Sequence, residues 1–331
     1  MGTTFKVGVI GAGAMGQNHI RTYSNMKGVE LAGISDVDRQ RVGALAKEYN
    51  TRCFTDYNEM LKLGLDAVSV VVPTTLHRKV ALDVIASGAN LLVEKPIADT
   101  LDNAEAITYT AEEAGVTLMI GHIERFNPAV VNMKEIIDSG RLGKIVSISA
   151  SRVGPYNPRI RDVGVILDIG VHDIDVISYL YNCPVTEVYA IAGKEIHTFE
   201  DHASIFLRFA DDRAGIVETN WLTPHKTRRF TVIGTEGVAY GDYIQQCVTV
   251  HDKGQVSNLK IDKKEPLACE LENFIEACRD GSTPLTTGKD GIHALNVAIA
   301  AIESYKIRSI VKVMPRYYSH AKVGLLTPAV G

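Results

Sequence analysis

The chain has 331 residues, more than one hydrophobic core usually supports, so two domains are expected. Its formal net charge of -4 gives no electrostatic reason to expect nucleic acid or an anionic membrane as a partner. The five cysteines are scattered without a C-x-x-C pair, which argues against a disulfide framework or a metal site and favours a reducing, cytoplasmic setting. No apolar run approaches the ~20 residues of a membrane span, and a strand pattern at the start of the sequence leaves no room for a signal peptide.

The first predicted strand runs into a glycine-rich turn, in the sequence KVGVIGAGAMG at residues 6–16. Its glycines have the spacing G-x-G-x-x-G, and the residues that follow can continue as a helix. In such a turn the first glycine allows a tight bend, the second lets the backbone approach a dinucleotide pyrophosphate, and the third lets helix and strand pack closely. The anion is held by unpaired N–H groups at the positive end of the helix dipole. The expected cofactor contacts here are Gly11, Gly13, Ala14, Met15 and Gly16.

A carboxylate follows the second predicted strand, at residues 30–34. Asp36 lies 25 residues after Gly11, close to where an acidic residue should accept hydrogen bonds from the adenosine ribose hydroxyls. This charge should repel a 2′-phosphate, so NAD is the expected cofactor. Arg39 lies nearby and could accept that phosphate, which keeps NADP open.

The first ~120 residues alternate strand and helix patterns. Further strands are predicted at 52–54, 66–72, 90–93 and 117–120, and further helices at 42–49, 76–87 and 103–114. Six strands with helices between them predict a doubly wound parallel sheet, assigned to a Rossmann-type domain of residues 1–122.

After residue 122 strands follow one another directly. The predicted strands lie at 144–153, 188–196, 203–209, 215–221, 229–233 and 247–251, and the predicted helices at 128–140, 167–181, 266–279 and 288–305. This pattern predicts an α+β domain over residues 123–331 with a large, open, mostly antiparallel sheet. Because such a sheet has a second face to cover, we expect a homodimer or homotetramer. The tail from residue 314 is either loosely attached or used in subunit contacts.

Two polar clusters should lie at the carboxyl edge of the first sheet, where doubly wound sheets bind ligands. Pro73, Thr74 and His77 follow the fourth predicted strand, and Glu94 and Lys95 follow the fifth, so all are candidate cofactor contacts. A loop lysine is usually a solvated surface residue. A lysine at the carboxyl end of a strand is instead a candidate for chemistry.

A further cluster, DIGVHDID, begins at Asp168. Asp168 and His172 are four residues apart on a predicted helix and should share one face. An aspartate one turn before a histidine can fix its tautomer and stabilise the imidazolium. The alternative is a helix N-terminus with ordinary capping carboxylates.

Together these motifs closely resemble the Gfo/Idh/MocA family, and the resemblance covers essentially the whole chain. It is carried by the glycine turn, Asp36, Glu94-Lys95-Pro96, Asp168-x-Gly-x-His172, GHIERFNP at 121–128 and RFTVIGTEG at 229–237. The resemblance implies a Rossmann domain, an open sheet that builds oligomers, and NAD(P) bound between them. It also implies that Lys95 touches both the nicotinamide ribose and the reacting hydroxyl, with the next proline often cis.

The function expected from these residues is reversible oxidation of a secondary hydroxyl on a sugar ring. His172 would act as general base, because an ordinary histidine pKa near 6.5 suits proton transfer at neutral pH. Asp168 would orient His172 or hydrogen-bond a neighbouring substrate hydroxyl. Lys95 would position the reacting oxygen and stabilise its developing negative charge as hydride leaves.

The substrate expectation rests on likeness to part of that family. GHIERFNP and DIGVHDIDV are similar to the corresponding stretches of members that oxidise the 3-hydroxyl of UDP-N-acetylglucosamine, so a UDP-N-acetylhexosamine is favoured. Expected substrate contacts, besides Lys95, Asp168 and His172, are Arg125, Tyr156, Arg159 and Arg161, the last two because arginine suits phosphate. A second basic candidate for binding the diphosphate consists of His225, Lys226, Arg228 and Arg229.

Three alternative functions remain open: an inositol or free-sugar dehydrogenase, an NAD-dependent glycosidase, and a non-catalytic NAD-binding regulator.

Overall fold

The computed structural model of the chain describes residues 4–156, 158 and 163–316. Within them the first half of the chain forms a six-stranded sheet whose neighbouring strands all run parallel. Its strands are β1 (Phe5–Ile10), β2 (Val29–Ser35), β3 (Arg52–Phe54), β4 (Ala67–Val70), β5 (Asn90–Glu94) and β6 (Leu118–Gly121). The spatial order is β3-β2-β1-β4-β5-β6. Because the order reverses between β1 and β4, a ligand is expected beyond the carboxyl ends of these two strands.

Helices cover both faces of this sheet. They are α1 (Ala14–Asn25), α2 (Arg39–Glu48), α3 (Tyr57–Leu61), α4 (His77–Ala86) and α5 (Leu101–Ala114). Alternate residues of β1 enter different apolar clusters, with Val7 and Val9 in one and Ile10 in the other. A strand buried on both faces is typical of a parallel sheet between helices. The predicted doubly wound architecture of this half is confirmed.

The second half forms a nine-stranded sheet among the described residues. Its strands are β7 (Ile145–Pro155), β8 (Val185–Gly193), β9 (His202–Phe209), β10 (Ala214–Asn220), β11 (Leu222–Gly234), β12 (Gly237–Asp242), β13 (Cys247–Asp252), β14 (Gln255–Asn258) and β15 (Val311–Lys312). The order is β14-β13-β12-β11-β7-β10-β9-β8-β15. Neighbours are antiparallel except β7 and β10, which are parallel. The predicted open, mostly antiparallel sheet is confirmed.

Three strands of this sheet are not predicted from the sequence. β12 contains Gly237 and Gly241, and glycine weakens a strand pattern. The sheet nevertheless needs glycine at 241, because an added Cβ there would lie 2.3 Å from the Phe230 ring. β14 and β15 are edge strands of four and two residues, too short to give a periodic signal.

The remaining helices lie in this half of the chain. They are α6 (Pro128–Asp138), α7 (Val171–Tyr181), α8 (Pro266–Asp280) and α9 (Gly288–Ile307). The helix predicted from residue 167 becomes α-helical only at Val171, because Ile166–Gly170 is a π-helical turn. α8 returns to the first sheet, where Leu271 and Phe274 pack in one cluster with Ile20 of α1. The second half of the chain therefore contributes to the core of the nucleotide-binding half.

One face of the second sheet is covered by α6, α7 and α9, and no helix among the described residues packs on the other, called here the open face. In β9, Ala203, Ile205 and Leu207 point into the core, whereas Phe206 between them is 47% exposed. Large apolar side chains recur on exposed positions of this sheet, at Val146, Tyr189, Ile191, Phe206, Ile233 and Tyr240. The open face is thus unusually apolar for a surface in contact with water.

Candidate active site

The glycine turn after β1 has the shape that a dinucleotide pyrophosphate requires. Gly11 has φ +97°, and an added Cβ would lie 2.2 Å from the Val71 carbonyl oxygen. A Cβ on Gly16 would lie 1.9 Å from the Gly11 carbonyl oxygen, so both positions exclude a side chain. At Gly13, by contrast, no described atom lies within 4 Å of the added Cβ. Two glycines are therefore fixed by packing, and the third leaves open space at the N-terminus of α1, where an anion is stabilised.

The carboxylate of Asp36 is tied to this turn. Its Oδ2 accepts the Ala12 N–H at 2.6 Å, and its Oδ1 accepts the Asp38 N–H at 2.8 Å. Each oxygen keeps a second lone pair, which leaves capacity for ribose hydroxyls. Arg39 is exposed at the start of α2, and the arginine closest to Asp36 is Arg41, with Nη1 3.6 Å from Oδ2. Sequence reasoning did not single out Arg41.

A cleft of about 820 Å³ lies at the carboxyl ends of β4 and β5. From the first half of the chain it is lined by Ala14, Met15, Pro73, Thr74, His77, Glu94 and Lys95, and from the second half by Asp168, His172, Arg228, Tyr243 and Gln246. A smaller cavity of about 250 Å³ shares Lys95, Asp168, His172 and Arg228 with it and adds Arg152, Trp221 and Lys226. The structure thus brings the predicted lysine and histidine to the same two cavities.

Lys95 joins the two halves of the chain. Its Nζ donates to the Asp168 carbonyl oxygen at 2.6 Å and lies 3.6 Å from Asp168 Oδ1. Its backbone N–H donates to Glu94 Oε2 at 3.1 Å, and the following peptide bond to Pro96 is cis. The ammonium group is therefore held where the carboxyl end of β5 meets the turn before α7.

Asp168 contacts Lys95, and the structure shows no Asp168–His172 hydrogen bond of the kind one sequence hypothesis expected. His172 Nδ1 is buried without a hydrogen-bond partner in the described part of the chain. The physical reason is the π-helical turn Ile166–Gly170, which changes the spacing that would place residues 168 and 172 one α-turn apart. Asp168 stays within the cleft, available to a substrate hydroxyl.

His172 lines both cavities at the start of α7. Burial lowers the pKa of its imidazole well below the ordinary value, and the positive charges of Lys95 and Arg152 lower it further. The ring is therefore neutral at neutral pH. Because Nδ1 is buried, Nε2 is the nitrogen left to face the cleft. A neutral imidazole with one nitrogen in a cleft is suited to accept a proton.

Glu94 ends a buried chain of hydrogen bonds. Its Oε1 lies 3.1 Å from His19 Nε2, while His19 Nδ1 lies 3.2 Å from Ser69 Oγ, which lies 2.9 Å from the Tyr23 hydroxyl. Burial would raise the pKa of Glu94, but the hydrogen bond and charge of His19 outweigh it and hold this pKa below its ordinary value. Glu94 thus presents an ionised carboxylate at the cleft wall.

His77 ties together the loops that follow β4 and β5. Its Nε2 lies 2.9 Å from the Val72 carbonyl oxygen and its Nδ1 lies 3.0 Å from that of Pro96. Pro73 and Thr74 occupy the 3-10 turn between β4 and α4 and line the cleft. These candidate cofactor residues are all at the cleft.

Two of the predicted substrate contacts, Arg125 and Tyr156, have other partners. Arg125 does not reach the cleft: its Nε and Nη2 donate to Asp175 at 2.9 and 2.6 Å, and Nη2 also donates to Asp290 at 3.0 Å. The expectation that it binds substrate is corrected, because this buried ion cluster holds its guanidinium behind α7. Tyr156 stacks on His197 with ring centroids 3.8 Å apart and meets Trp221 edge-on. Arg159 and Arg161 lie outside the described residues.

Sequence reasoning missed the buried Arg152. Its Nε donates to Asp173 at 2.8 Å and its Nη1 to Glu124 at 2.7 Å, and the Tyr243 hydroxyl also donates to Asp173 at 2.8 Å. A signal was available, because Arg152 has the same inward parity on β7 as Ile148 and Ala150. A charged residue at an inward strand position marks a buried polar cluster.

Arg228, from the second basic candidate, lines both cavities. Burial lowers the pKa of its guanidinium, and the charge of Arg152 adds to this effect. Arg229, the next residue, is exposed and pairs with Asp242 on the other face of β11. Strand alternation therefore directs one arginine of the pair to the cleft and the other away from it.

Other kinds of site find no support in the described ranges. No group of three or more histidine, cysteine, aspartate or glutamate side chains there is arranged to hold a metal ion. The helices described are too short or too polar to cross a membrane. All five cysteines are free.

Comparisons with known proteins agree with this geometry. A model of the "Oxidoreductase family, NAD-binding Rossmann fold" matches residues 5–122, and one of the "GFO/IDH/MocA C-terminal domain" matches residues 130–240.

The chain is 26% identical to UDP-N-acetylglucosamine 3-dehydrogenase of Acidithiobacillus ferrooxidans over 91% of this chain and 98% of that protein. A solved structure of that enzyme superposes with a TM-score of 0.85, again covering 91% of this chain and 98% of the other. The chain is also 29% identical to scyllo-inositol 2-dehydrogenase (NAD(+)) of Bacillus subtilis over 90% of this chain and 93% of the relative. The family suggested by the motifs and the expected NAD cofactor are confirmed: the chain belongs to the Gfo/Idh/MocA family of oxidoreductases and carries its NAD-binding Rossmann fold.

Proposed function

We propose that this oxidoreductase oxidises a secondary hydroxyl on a sugar ring, with His172 as general base and Lys95 as the group that holds the reacting oxygen. The observation that carries the proposal is that these two side chains, from the two halves of the chain, line the same cavities. Bound NAD supplies the hydride acceptor. His172 Nε2 takes the hydroxyl proton, and the Lys95 ammonium stabilises negative charge on the oxygen as it develops.

Asp168 has a second role in this proposal. Its carbonyl oxygen positions the Lys95 ammonium at 2.6 Å, and its carboxylate remains in the cleft for a neighbouring substrate hydroxyl. NAD is favoured over NADP, because the Asp36 carboxylate beside the glycine turn would repel a 2′-phosphate. Comparing kcat/KM for the two cofactors with one substrate tests this preference, and equal values would contradict it.

The proposed substrate is a UDP-N-acetylhexosamine such as UDP-N-acetylglucosamine, oxidised at its 3-hydroxyl. Support comes from the similarity to the enzyme of that name and from two cationic side chains, Lys226 and Arg228, in the cavity beside His172. Arginine and lysine at such a position suit the diphosphate of a nucleotide sugar. An inositol or free sugar is the second candidate, favoured by the comparable identity to scyllo-inositol 2-dehydrogenase.

A substrate screen separates these candidates. UDP-N-acetylglucosamine, N-acetylglucosamine and inositols are incubated with the enzyme and NAD, and NADH is followed by absorbance. The proposal expects kcat/KM to be higher for the UDP sugar, and expects Arg228→Gln to lower that value by about tenfold or more through loss of a charged hydrogen bond. Arg229→Gln is the matched control, because this neighbouring arginine points away from the cleft. Equal kcat/KM for the free and nucleotide-linked sugars would remove the nucleotide-sugar proposal.

The same assay addresses two remote alternatives. An NAD-dependent glycosidase would cleave substrate without net NADH accumulation. A regulator would bind NAD and turn over none of these compounds. The neutral His172 beside Lys95 favours an enzyme over a regulator, because a binding module has no need of a base beside a cationic group.

We also propose that the open face of the second sheet associates with other copies of the chain to form a homodimer or homotetramer. The exposed apolar side chains of that face, including Ile191 and Phe206, support this arrangement. Phe206→Glu should give a smaller species in light scattering after size exclusion, whereas Val37→Glu, at a 93% exposed residue elsewhere, should not. A wild-type monomer would contradict the proposal.

We propose a cytoplasmic location as well. The free cysteines support it, because thiols stay reduced in that compartment.

A further inference from the structure

The orientation of His172 needs an explanation that Asp168 does not provide. Its Nδ1 is buried and has no hydrogen-bond partner among the described residues. Leaving such a polar atom unpaired costs about 1–3 kcal/mol. Buried polar atoms in folded proteins are therefore paired with protein groups or with ordered water.

A second buried histidine has the same unmet need. His122 follows β6, is 1% exposed, and has no hydrogen-bond partner at either ring nitrogen in the ranges described. Its Nδ1 lies 3.8 Å from Asp175 Oδ2, too far for a direct hydrogen bond. Asp175 is three residues after His172 on α7, so the two side chains leave neighbouring positions on that helix. His122 is also among the groups that lie close enough to His172 to act on the pKa of the His172 imidazole.

We propose that His122 is the positioning residue for His172, acting through one buried water held between the two imidazoles and Asp175 Oδ2. The inference rests on the proposed function of His172 as general base. His122 Nδ1, Asp175 Oδ2 and His172 Nδ1 would give this water three partners, within the two to four that a buried water needs.

The proposed role of His172 sets the donor and acceptor roles in this arrangement. The Asp175 carboxylate accepts only, and it already receives the Arg125 Nε–H at Oδ2. The water therefore gives one hydrogen to this carboxylate. Its other hydrogen goes to the acceptor nitrogen of neutral His122, because the reverse assignment would put the His172 proton on Nε2 and leave no base in the cleft. The water then accepts from His172, which carries its proton on Nδ1. The lone pair of Nε2 is left facing the cleft.

Burial is the main cause that keeps both rings neutral, and it outweighs the carboxylates of Asp175 and Asp290 beside His122. Lys95, Arg152 and Arg228 face His172, and Arg125, Asp175 and Asp290 lie around His122. Burial lowers the pKa of each imidazole below its ordinary value. Neutral rings have one donor and one acceptor nitrogen each, as the proposed water bridge requires.

Three variants and one spectroscopic measurement test the proposal. His122→Phe removes both ring nitrogens and should lower kcat by about 10–100-fold, with NAD affinity unchanged. His122→Asn, which keeps a polar group for the water, should restore most of that loss. His293→Phe is the matched control: this partly buried histidine of α9 accepts a hydrogen bond from the Val185 N–H, so its loss tests the cost of disturbing the region.

The tautomer itself is read from the ¹⁵N chemical shifts of His172 in labelled protein. The wild type should carry the proton on Nδ1, and His122→Phe should give a mixture of tautomers. The proposal is overturned by an Nε2-protonated wild type, by His122→Phe leaving kcat and tautomer unchanged, or by His293→Phe lowering kcat as much. Because the chemical shift does not depend on turnover, a wild type that oxidises no sugar would refute the proposed function while leaving this result to be judged separately.

Discussion

Two buried histidine networks flank the Glu94–Lys95 segment, and they differ in how completely their ring nitrogens are paired. In the first, Tyr23, Ser69, His19 and Glu94 form a closed chain in which each side chain has a hydrogen-bond partner. In the second, His122 and His172 have three ring nitrogens without a partner among the described residues. A closed network stiffens a scaffold, whereas an open one has capacity for water, substrate or a moving proton. We therefore expect the first to govern stability and the second to govern turnover.

The largest expected effect comes from breaking the open network at the cleft. His172→Ala removes the proposed base, and Lys95→Met removes the charge that stabilises the reacting oxygen. Each should lower kcat by about a hundredfold or more, the usual contribution of a general base, and His172→Ala should alter NAD affinity much less. Steady-state kinetics and NAD titration measure both quantities. Lys79→Met, at an exposed lysine of α4, is the control, and near wild-type turnover for His172→Ala would show that its assigned role is wrong.

The pH dependence of turnover should report the lowered pKa of His172. A base acts when unprotonated, so a lowered pKa keeps kcat/KM for oxidation on its plateau below pH 6.5 and moves the acid limb to lower pH. Arg228→Gln removes one of the positive charges that lower this pKa, so its acid limb should move to higher pH. The position of the limb is the measurement, whatever the height of the plateau. A limb that stays in place or moves down would contradict the assignment.

The closed network should instead respond in stability. His19→Leu leaves the buried Oε1 of Glu94 without its partner, at a cost of about 1–3 kcal/mol in the free energy of unfolding. Tyr23→Phe removes only the outermost hydroxyl and should cost about 0.5–1.5 kcal/mol. Denaturant unfolding measures both costs, and kcat of the two variants should fall far less than that of His172→Ala. A hundredfold loss of kcat in His19→Leu at unchanged stability would reverse the contrast between the networks.

The contrast also separates what the sequence could predict from what it could not. The parallel sheet and the glycine turn follow from local pattern, because alternation of apolar runs and helices and the spacing of Gly11, Gly13 and Gly16 are properties of short segments. The meeting of Lys95 and His172 could be anticipated only through the resemblance of the whole motif set to a family, since the two residues are far apart in sequence.

The partners of single polar side chains were beyond local pattern. Asp168 contacts Lys95 because a π-helical turn replaces the expected α-helix, and nothing in DIGVHDID signals that change of spacing. Arg125 is held behind α7 by Asp175 and Asp290, which come from two later helices. His19 and His122 gave no signal of their own, because a lone histidine in an apolar segment is compatible with any buried position.

The smallest expected effect concerns Glu270 of α8, which lies near both networks. Both of its carboxyl oxygens are buried without a partner in the described residues. Burial raises its pKa well above the ordinary value, and the charges of Glu94, Glu124 and Asp175 raise it further. The folded chain therefore keeps this proton at a pH where the unfolded chain, with a carboxyl pKa of about 4.3, has lost it. The free energy of unfolding falls as pH rises through that range, because the folded state binds more protons.

Glu270→Gln cannot ionise in either state and so removes this dependence. The melting temperature of the variant relative to wild type should rise between pH 5 and pH 8 by about 2 °C or more, measured by thermal denaturation at both values. Glu303→Gln, at an exposed glutamate of α9, is the control and should show no such change. If the difference in melting temperature between Glu270→Gln and wild type is the same at both pH values, the Glu270 carboxyl is ionised in the folded state. It would then have a hydrogen-bond partner and would belong with the paired groups of the closed network.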